Sequence, residues 1–342
     1  MIVAVELLAA CQLAVISALA VVLTCRRIAI ARAGRHRQLL LDRYRDAVVE
    51  FVGLDDDAPP EPLAGLRTAE QRSAVGELLA EYSGTVRGES RSRVAAFVTD
   101  QGYAAAAARD LRARRAWRRG TAAKALGDFG VVASVGELAD ALRLDASWQV
   151  RVSAARAMGR VGHAQATADL VSACAGGSVP AGIVAQALLD IGEEALPWLL
   201  GAMASTEQRV RLVACRVVGL IGVGAAEAEV VAALETAATA DPEVVVRVAA
   251  SEALGRVGGL DAALAIAAAT ADPEAAVRCA ACDAAARLAA PETAAAVARA
   301  LDDGDPEVRR SAARAAVMLG VADGSGSPFM AEAEAELAWG WR

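Results

Sequence analysis

A pair of cysteines has the clearest chemical spacing in this sequence. Cys279 and Cys282 are separated by two residues, the spacing of redox dithiols and of half a zinc site. A zinc site needs about four ligands, and the two histidines of the chain, His36 and His163, lie far away in the sequence. Cys282 also repeats a position that Cys215 fills and that alanine fills in other copies of a recurring pattern. We therefore expect the pair to consist of small core residues, with no metal bound.

Two glycine clusters, residues 219–224 and 255–259, resemble phosphate-binding loops in composition. A phosphate-binding loop lies between a strand and the start of a helix, whereas these glycines end a helical pattern and recur once in each copy of it. The sequence contains no nucleophile elbow, no Ser/His/Asp set and no H-E-x-x-H motif. It therefore predicts no catalytic residue and no cofactor.

A run of cations between residues 109 and 124 is the best candidate for a binding site. Its predicted binding residues are Arg109, Arg112, Arg114, Arg115, Trp117 and Arg118. Cations beside an indole suit lipid phosphates, nucleic acid or an acidic protein; the alternative is a solvated helix face in an arginine-rich chain. The net charge of −7 opposes nucleic acid, because a nucleic-acid binder normally carries a basic surface. We expect lipid headgroups or the loops of a membrane protein, and no nucleic-acid partner.

One recurring helix, clearest over residues 241–258, positions these groups. Asp241 is expected to be its N-cap, Pro242 suits the first helical position and Gly258 suits the end. Counting from Arg247, small residues follow at +3 and +4 and glycines at +8 and +11. Similar patterns follow Arg119, Arg151, Arg211, Arg278 and Arg309, and a weaker copy has Ala181 in place of the arginine. We expect each arginine to bridge to a carbonyl or an acid of a neighbouring repeat, so that the arginines form a ladder.

The spacing of the copies predicts the fold class. Consecutive copies begin roughly 30 to 36 residues apart, the length of a helical pair in a solenoid. Strand signals are nearly absent, so we predict an all-α chain in which small residues let the two helices of a unit approach. The stretches DPEVVVRVAASEALGRVG and DPEVRRSAARAAVMLG resemble HEAT repeats, particularly the short type also found in phycobilisome lyases. The resemblance covers roughly residues 105–320 and implies a binding surface or, as an alternative, a phycobilin-lyase-like enzyme.

The amino-terminal segment is predicted to be a transmembrane helix that precedes the HEAT-like α-solenoid. Residues 2–25 are almost wholly apolar, with Glu6 the only charge, and at about 1.5 Å per residue they span a hydrocarbon core of about 30 Å. Arginines follow this stretch and none precedes it, so the positive-inside rule places the amino terminus outside and the solenoid in the cytoplasm, at the inner cell membrane. Ala10, Ala14 and Ala18 form a small-residue row that predicts close packing against a partner's membrane helix.

The predicted domain plan runs from the membrane to a short acidic tail. It comprises a transmembrane helix (1–25), a juxtamembrane helix (26–53), a proline-rich linker (54–67), a degenerate capping helical pair (68–104), the HEAT-like array (105–322) and a carboxy-terminal break with a short helix (323–342). At the start of the helical pair, Thr68 and Gln71 predict a capping box.

These features predict a non-catalytic, membrane-anchored scaffold or accessory subunit. Its expected partner is an integral membrane protein, for which a polysaccharide-synthesising glycosyltransferase is one concrete example. The alternatives are the phycobilin-lyase-like enzyme and a HEAT-type nucleic-acid binder that uses the cations of residues 109–124.

Overall fold

The computed structural model describes the backbone of residues 2–53, 59–84, 86, 88–221, 224, 227–321 and 328–338, and side chains from residue 19 onward. Helices and their connections make up this described part, which contains no strand. The chain divides into two compact units, Met1–Tyr103 and Ala104–Arg342.

Unit 1 is a small helical cluster built on one long helix. Its helices are α1 (Ile2–Gly53), α2 (Glu61–Ala64), α3 (Ala69–Ser83) and α4 (Glu89–Asp100). The carboxy-terminal part of α1 packs on α3 and α4, where the rings of Phe51 and Phe97 lie 4.9 Å apart between centroids. The predicted capping box is present: Gln71 N–H donates to the Thr68 hydroxyl (3.1 Å), and Thr68 N–H donates to the Gln71 side chain (3.0 Å).

The predicted membrane span, residues 1–25, and the row Ala10, Ala14 and Ala18 fall mainly outside the described side chains. Within the residues that are described, no helix combines the length and the apolar character needed to cross a bilayer. Where its side chains are described, α1 presents apolar residues to solvent, among them Leu19 and Val22. Arg26 and Arg27 follow and are also exposed. The membrane span therefore stays a prediction.

Unit 2 is an array of helical pairs. Its helices are α5 (Tyr103–Asp110), α6 (Ala116–Phe129), α7 (Val135–Leu144), α8 (Trp148–Val161), α9 (Gln165–Ala175), α10 (Ala181–Ile191), α11 (Leu196–Met203), α12 (Gln208–Val218), α13 (Glu227–Ala240), α14 (Val244–Val257), α15 (Leu260–Ala269), α16 (Ala275–Leu288), α17 (Ala294–Ala300), α18 (Pro306–Leu319) and α19 (Pro328–Ala338). From α6 to α18 the even-numbered helices carry the recurring arginine position. Even-numbered helices pack on even-numbered neighbours and odd-numbered ones on odd-numbered neighbours, so unit 2 has two layers with a shared apolar core.

The recurring glycines set the distance between consecutive even-numbered helices. A Cβ atom added to Gly159 of α8 would lie 2.6 Å from the Cα of Ala187 in α10, and one added to Gly255 would lie 2.9 Å from the Cα of Ala284. Gly127 and Gly219 make the same kind of contact. For these glycines, the expectation that small residues bring together the two helices of one unit is therefore wrong. The glycine eight residues after the arginine position instead leaves room for an alanine of the next even-numbered helix, which lies six residues after the arginine position there. The two helices lie side by side in one layer.

The end of α16 departs from the glycine pattern and gives a first prediction. Ala289 has φ +50°, in the left-handed region where Gly130, Gly162 and Gly320 end their helices. Because an L-residue with a Cβ is strained there by about 1 kcal/mol, we expect Ala289→Gly to raise the free energy of unfolding by up to about 1 kcal/mol. Urea unfolding followed by circular dichroism measures this. The control, Ala276→Gly at an exposed helical position, should lower stability by about as much; a loss of stability in both variants would contradict the strain argument.

Candidate functional site

A row of arginine–aspartate forks joins consecutive repeats along one edge of unit 2. The Nε and Nη2 groups of Arg247 donate to the two carboxylate oxygens of Asp272 in the next repeat, at 2.8 and 3.1 Å. Its Nη1 group donates back to the carbonyl of Asp241 at 2.9 Å. The same fork joins Arg119 to Asp145, Arg211 to Asp241 and Arg278 to Asp303. The structure thus contains the predicted ladder, in which each arginine ties the loop before its own helix to the loop of the next repeat.

The ladder also corrects the predicted N-cap. Helix α14 begins at Val244, and Glu243 occupies the N-cap position. Asp241 lies earlier, where its carboxylate accepts from the Glu243 N–H at 2.9 Å and from Arg211 at 2.7 and 3.0 Å. An aspartate followed by proline was the correct signal for a helix start, but the carboxylate serves the preceding repeat as well.

The forks are shielded from water, and their electrostatics follow from that. The side chains of Arg211 and Asp241 are 10% and 5% exposed. Burial acts most strongly and raises the pKa of Asp241, but the hydrogen bonds from Arg211 and the Glu243 N–H, together with the charges of Arg211 and Arg247, outweigh burial, so the pKa lies below its usual value. The hydrogen bonds from Arg119 and Arg278 lower the pKa of Asp145 and Asp303 in the same way. All three carboxylates therefore stay ionised when the surrounding pH is neutral.

Acid is expected to weaken the ladder. A carboxylate whose pKa is lower in the folded state contributes stability that is fully present above its unfolded pKa, about 3.9, and is lost as the pH falls through the folded value. We therefore expect a thermal midpoint that changes little from neutral pH to about pH 5 and falls below about pH 4. Differential scanning fluorimetry across that range measures it. Asp241→Asn should have a lower thermal midpoint at neutral pH, and its midpoint should fall less on acidification. If the midpoints of the two proteins changed equally with pH, the ladder carboxylate would not be the cause of the acid sensitivity.

Two consecutive positions of the ladder, Arg151 and Ala181, lack a fork. Arg151 donates to the backbone carbonyl of Ser178 at 3.1 Å rather than to an aspartate, and α10 has Ala181 where the other even-numbered helices have arginine. The contact between α10 and α12 also lacks the +8 glycine, since Leu189 occupies that position. Among the described residues, the junction of α10 and α12 therefore has neither the fork nor the glycine contact that joins other repeats, and apolar packing holds it.

The cysteines and glycines that suggested chemistry have structural roles. Cys282 and Cys215 are fully buried, and burial raises the pKa of each thiol to about 12. Burial also raises the pKa of the half-buried Cys279. Thiols held protonated are poor nucleophiles and poor metal ligands, and among the described residues no group of three or more His, Cys, Asp or Glu side chains lies close enough to hold a metal. Gly219 and Gly255 lie in the helix contacts described above, and Gly222 lies outside the described residues.

The structure divides the predicted cationic run into paired and unpaired groups. Arg118 donates to both carboxylate oxygens of Asp110 at 2.9 and 3.2 Å, and Lys124 pairs with Asp128. Arg119 belongs to the ladder. The remaining four arginines are exposed, and none of their guanidinium groups has a hydrogen bond or ion pair within the part of the chain that the structure describes: Arg109, Arg112, Arg114 and Arg115. Trp117 stands beside them with 64% of its surface exposed.

A second loop, which sequence reasoning missed, lies next to these arginines. Arg119 donates to the carbonyls of Ala113 and Arg114 at 3.0 and 3.2 Å and forks onto Asp145 at 2.6 and 2.8 Å, so it holds residues 111–115 beside residues 145–147. The second loop is flanked by Leu144 and Trp148, which are 79% and 57% exposed. We name the combined area the Arg/Trp surface, formed by Arg112, Arg114, Arg115, Trp117, Leu144 and Trp148. The missed signal was that an indole precedes the recurring arginine in two consecutive repeats of a chain with few aromatic residues.

The last repeat carries a covering helix and a groove. The guanidinium groups of Arg309 and Arg310 lie 5.6 and 5.3 Å from the ring centre of Phe329 in α19, so α19 packs on the end of α18. A groove of about 510 Å³ lies between α16, α18 and α19, with Arg287, Met318 and Leu337 in its walls. Its mixed lining of cations, acids and apolar groups does not point to one kind of ligand.

An array of paired helices joined by a side-chain ladder defines the class of unit 2 as a helical solenoid. Residues 260–328 match a family model described as HEAT repeats. No curated protein matches the chain. Among solved structures, the chain is similar to human deoxyhypusine hydroxylase in complex with glycerol, with a TM-score of 0.33, 17% identity, and coverage of 83% of this chain and 98% of that one.

Further solved structures are forms of Kap121p. Kap121p alone matches with a TM-score of 0.46, 14% identity, and coverage of 88% of this chain and 38% of that one. Kap121p bound to Nup53p matches with a TM-score of 0.43 and 14% identity, and the match covers 89% of this chain and 39% of that one. The chain thus spans less than half of Kap121p. The phycobilisome-lyase type of repeat stays a prediction from sequence.

Proposed function

We propose that this protein is a non-catalytic scaffold whose HEAT-like array holds a protein partner, and that residues 2–25 tether it to the inner cell membrane with the array in the cytoplasm. The observation that carries the proposal is the ladder. Because forks and close helix contacts fix most repeats to their neighbours, the array offers a binding surface whose backbone is ordered before the partner arrives. Pre-ordering lowers the entropic cost of association.

The odd-numbered layer supplies a surface suited to such a partner. Leu260 and Leu264, one turn apart on α15, are both exposed, and so is Trp198 on α11. Exposed apolar residues on a rigid face are typical of protein interaction sites. We assign this face to a cytoplasmic segment of an integral membrane protein, of which a polysaccharide-synthesising glycosyltransferase is one example. The composition of residues 2–25 and the exposed arginines that follow support the tether.

The experiment combines membrane extraction with variants of the array. The full-length protein is extracted in mild detergent, and the proteins recovered with it are identified and quantified by mass spectrometry. The variant Leu260→Asp with Leu264→Asp should lose a stoichiometric partner while keeping its helical circular dichroism. The matched control, Val245→Asp with Met318→Asp, changes two other exposed apolar residues of unit 2 and should keep it.

Each rival function has its own outcome in this scheme. Recovery of the chain in the aqueous fraction would overturn the tether, and a partner retained equally by both variants would overturn the α15 face. A visible absorption band after incubation with a bilin would instead support the phycobilin-lyase-like enzyme. Salt-sensitive DNA binding would support the nucleic-acid binder.

A further inference from the structure

The Arg/Trp surface reverses the charge of the molecule around it. The chain as a whole carries −7, yet Arg112, Arg114 and Arg115 of this surface are all exposed, as is Arg109 just before them in the sequence. The acids nearest in sequence are already occupied, because Asp110 binds Arg118 and Asp145 binds Arg119. The surface therefore keeps an uncompensated positive field that attracts an anionic ligand.

Large apolar side chains flank the loops that hold these cations. Trp117, Leu144 and Trp148 are each more than half exposed, at the ends of helices that border the two loops that the Arg119 fork fixes side by side. A lone anion would satisfy the arginines and leave these three groups in water. A ligand that presents anionic groups above an apolar interior satisfies both kinds of side chain at once. Indole rings favour the headgroup level of a bilayer, leucine favours the acyl boundary, and arginine binds lipid phosphates.

We propose that the Arg/Trp surface docks on an anionic lipid bilayer, with its arginines at the phosphates and Trp117, Leu144 and Trp148 entering the interface. The inference rests on the proposed membrane location for access to the bilayer, and it adds a second contact, made by unit 2 itself, to the tether. Such a contact would hold the first repeats against the headgroups rather than leaving the array free at the end of α1.

The test uses the full-length chain reconstituted into lipid vesicles. Trp198, Trp339 and Trp341 are replaced by phenylalanine, so that Trp117 and Trp148 alone report. Vesicles of phosphatidylcholine, with or without about 30% phosphatidylglycerol, carry a nitroxide-labelled lipid that quenches indoles at the interface. We expect quenching that grows with the anionic lipid and is reversed by about 0.5 M salt, since salt screens exposed charges.

Charge reversal of the arginines supplies the decisive variant. Since each arginine at an anionic surface contributes roughly fivefold to binding, Arg112→Glu with Arg114→Glu and Arg115→Glu should shift the docking equilibrium by on the order of a hundredfold or more and abolish the quenching. The matched control, Arg156→Glu with Arg216→Glu and Arg299→Glu, makes the same charge change at exposed arginines elsewhere in unit 2 and should leave quenching intact.

The outcomes separate this inference from the tether. Flotation of the chain with neutral vesicles reports the tether alone, so its loss would count against the proposed location and not against the surface. Quenching that does not depend on anionic lipid, or that the control set removes equally, would overturn the inference. A change in indole emission with polyglutamate or a single-stranded oligonucleotide, and none with anionic vesicles, would assign the surface to an acidic protein or to nucleic acid instead.

Discussion

Replacing Gly159 by alanine is expected to destabilise the protein by about 2 to 3 kcal/mol, because the new methyl group overpacks a helix contact. The added Cβ would lie 2.6 Å from the Cα and 2.9 Å from the Cβ of Ala187, and these are backbone and near-backbone atoms that no side-chain rotation can move. Helices α8 and α10 would have to separate along their contact. Urea unfolding of the detergent-solubilised chain, followed by circular dichroism, measures the loss.

The same substitution at another helical glycine is the control. Gly136 lies in α7, is exposed, and has no atom within 4 Å of an added Cβ. Because alanine favours a helix over glycine by about 1 kcal/mol, Gly136→Ala should stabilise the protein. Opposite signs for one chemical change would tie the effect to the helix contact, whereas a stabilising Gly159→Ala would contradict the close approach of α8 and α10.

Removing one partner of a ladder fork is expected to have an effect of similar size. In Asp241→Ala, the largely buried guanidinium of Arg211 loses both carboxylate bonds, and the Glu243 N–H loses its acceptor. Breaking a shielded ion pair on one side costs about 3 kcal/mol. Because the stability of a repeat array is approximately a sum over neighbouring contacts, the loss should appear first as faster amide hydrogen exchange in α12 and α14.

An exposed ion pair provides the comparison for the fork. Arg143 pairs with Asp140 and Asp169, but its side chain is 51% exposed. Arg143→Ala should therefore cost less than about 1 kcal/mol and leave exchange in α12 and α14 unchanged. Equal losses from Arg143→Ala and Asp241→Ala would show that shielding does not govern the strength of the ladder.

The sequence was most informative where a signal repeats. The recurring arginine, small residues and glycine were enough to predict an all-α repeat array and a ladder, because a structural role filled once in every repeat leaves the same residue types at the same spacing. The same logic assigned Cys282 to the core, since its position in the pattern is one that small residues fill. The capping box of Thr68 and Gln71 was predictable because it depends on residues three apart in one chain segment.

Side-chain interactions with a partner that is distant in sequence could not be predicted from a repeating pattern. Asp241 looks like a simple N-cap until Arg211, from the preceding repeat, is seen to fork onto it. Arg118 belongs to the same cationic run as Arg114, yet the structure pairs the first with Asp110 and leaves the second exposed without a side-chain partner among the described residues. The physical reason is that pairing depends on where a carboxylate arrives after helices pack, and not on the local order of residues.

The amino-acid order by itself determined the class of this protein: a chain of short helices with apolar faces, in which a pattern of arginine and small residues recurs, can bury those faces only by stacking repeat on repeat. The tertiary structure alone decided which helices touch, because the +8 glycine of α8 meets an alanine of α10 across repeats. It also decided that the loop before Trp148 lies beside the loop that carries Arg112, Arg114 and Arg115. Distances between segments about 30 residues apart follow from packing. Packing therefore places functional side chains of consecutive repeats close together although they are far apart in the sequence.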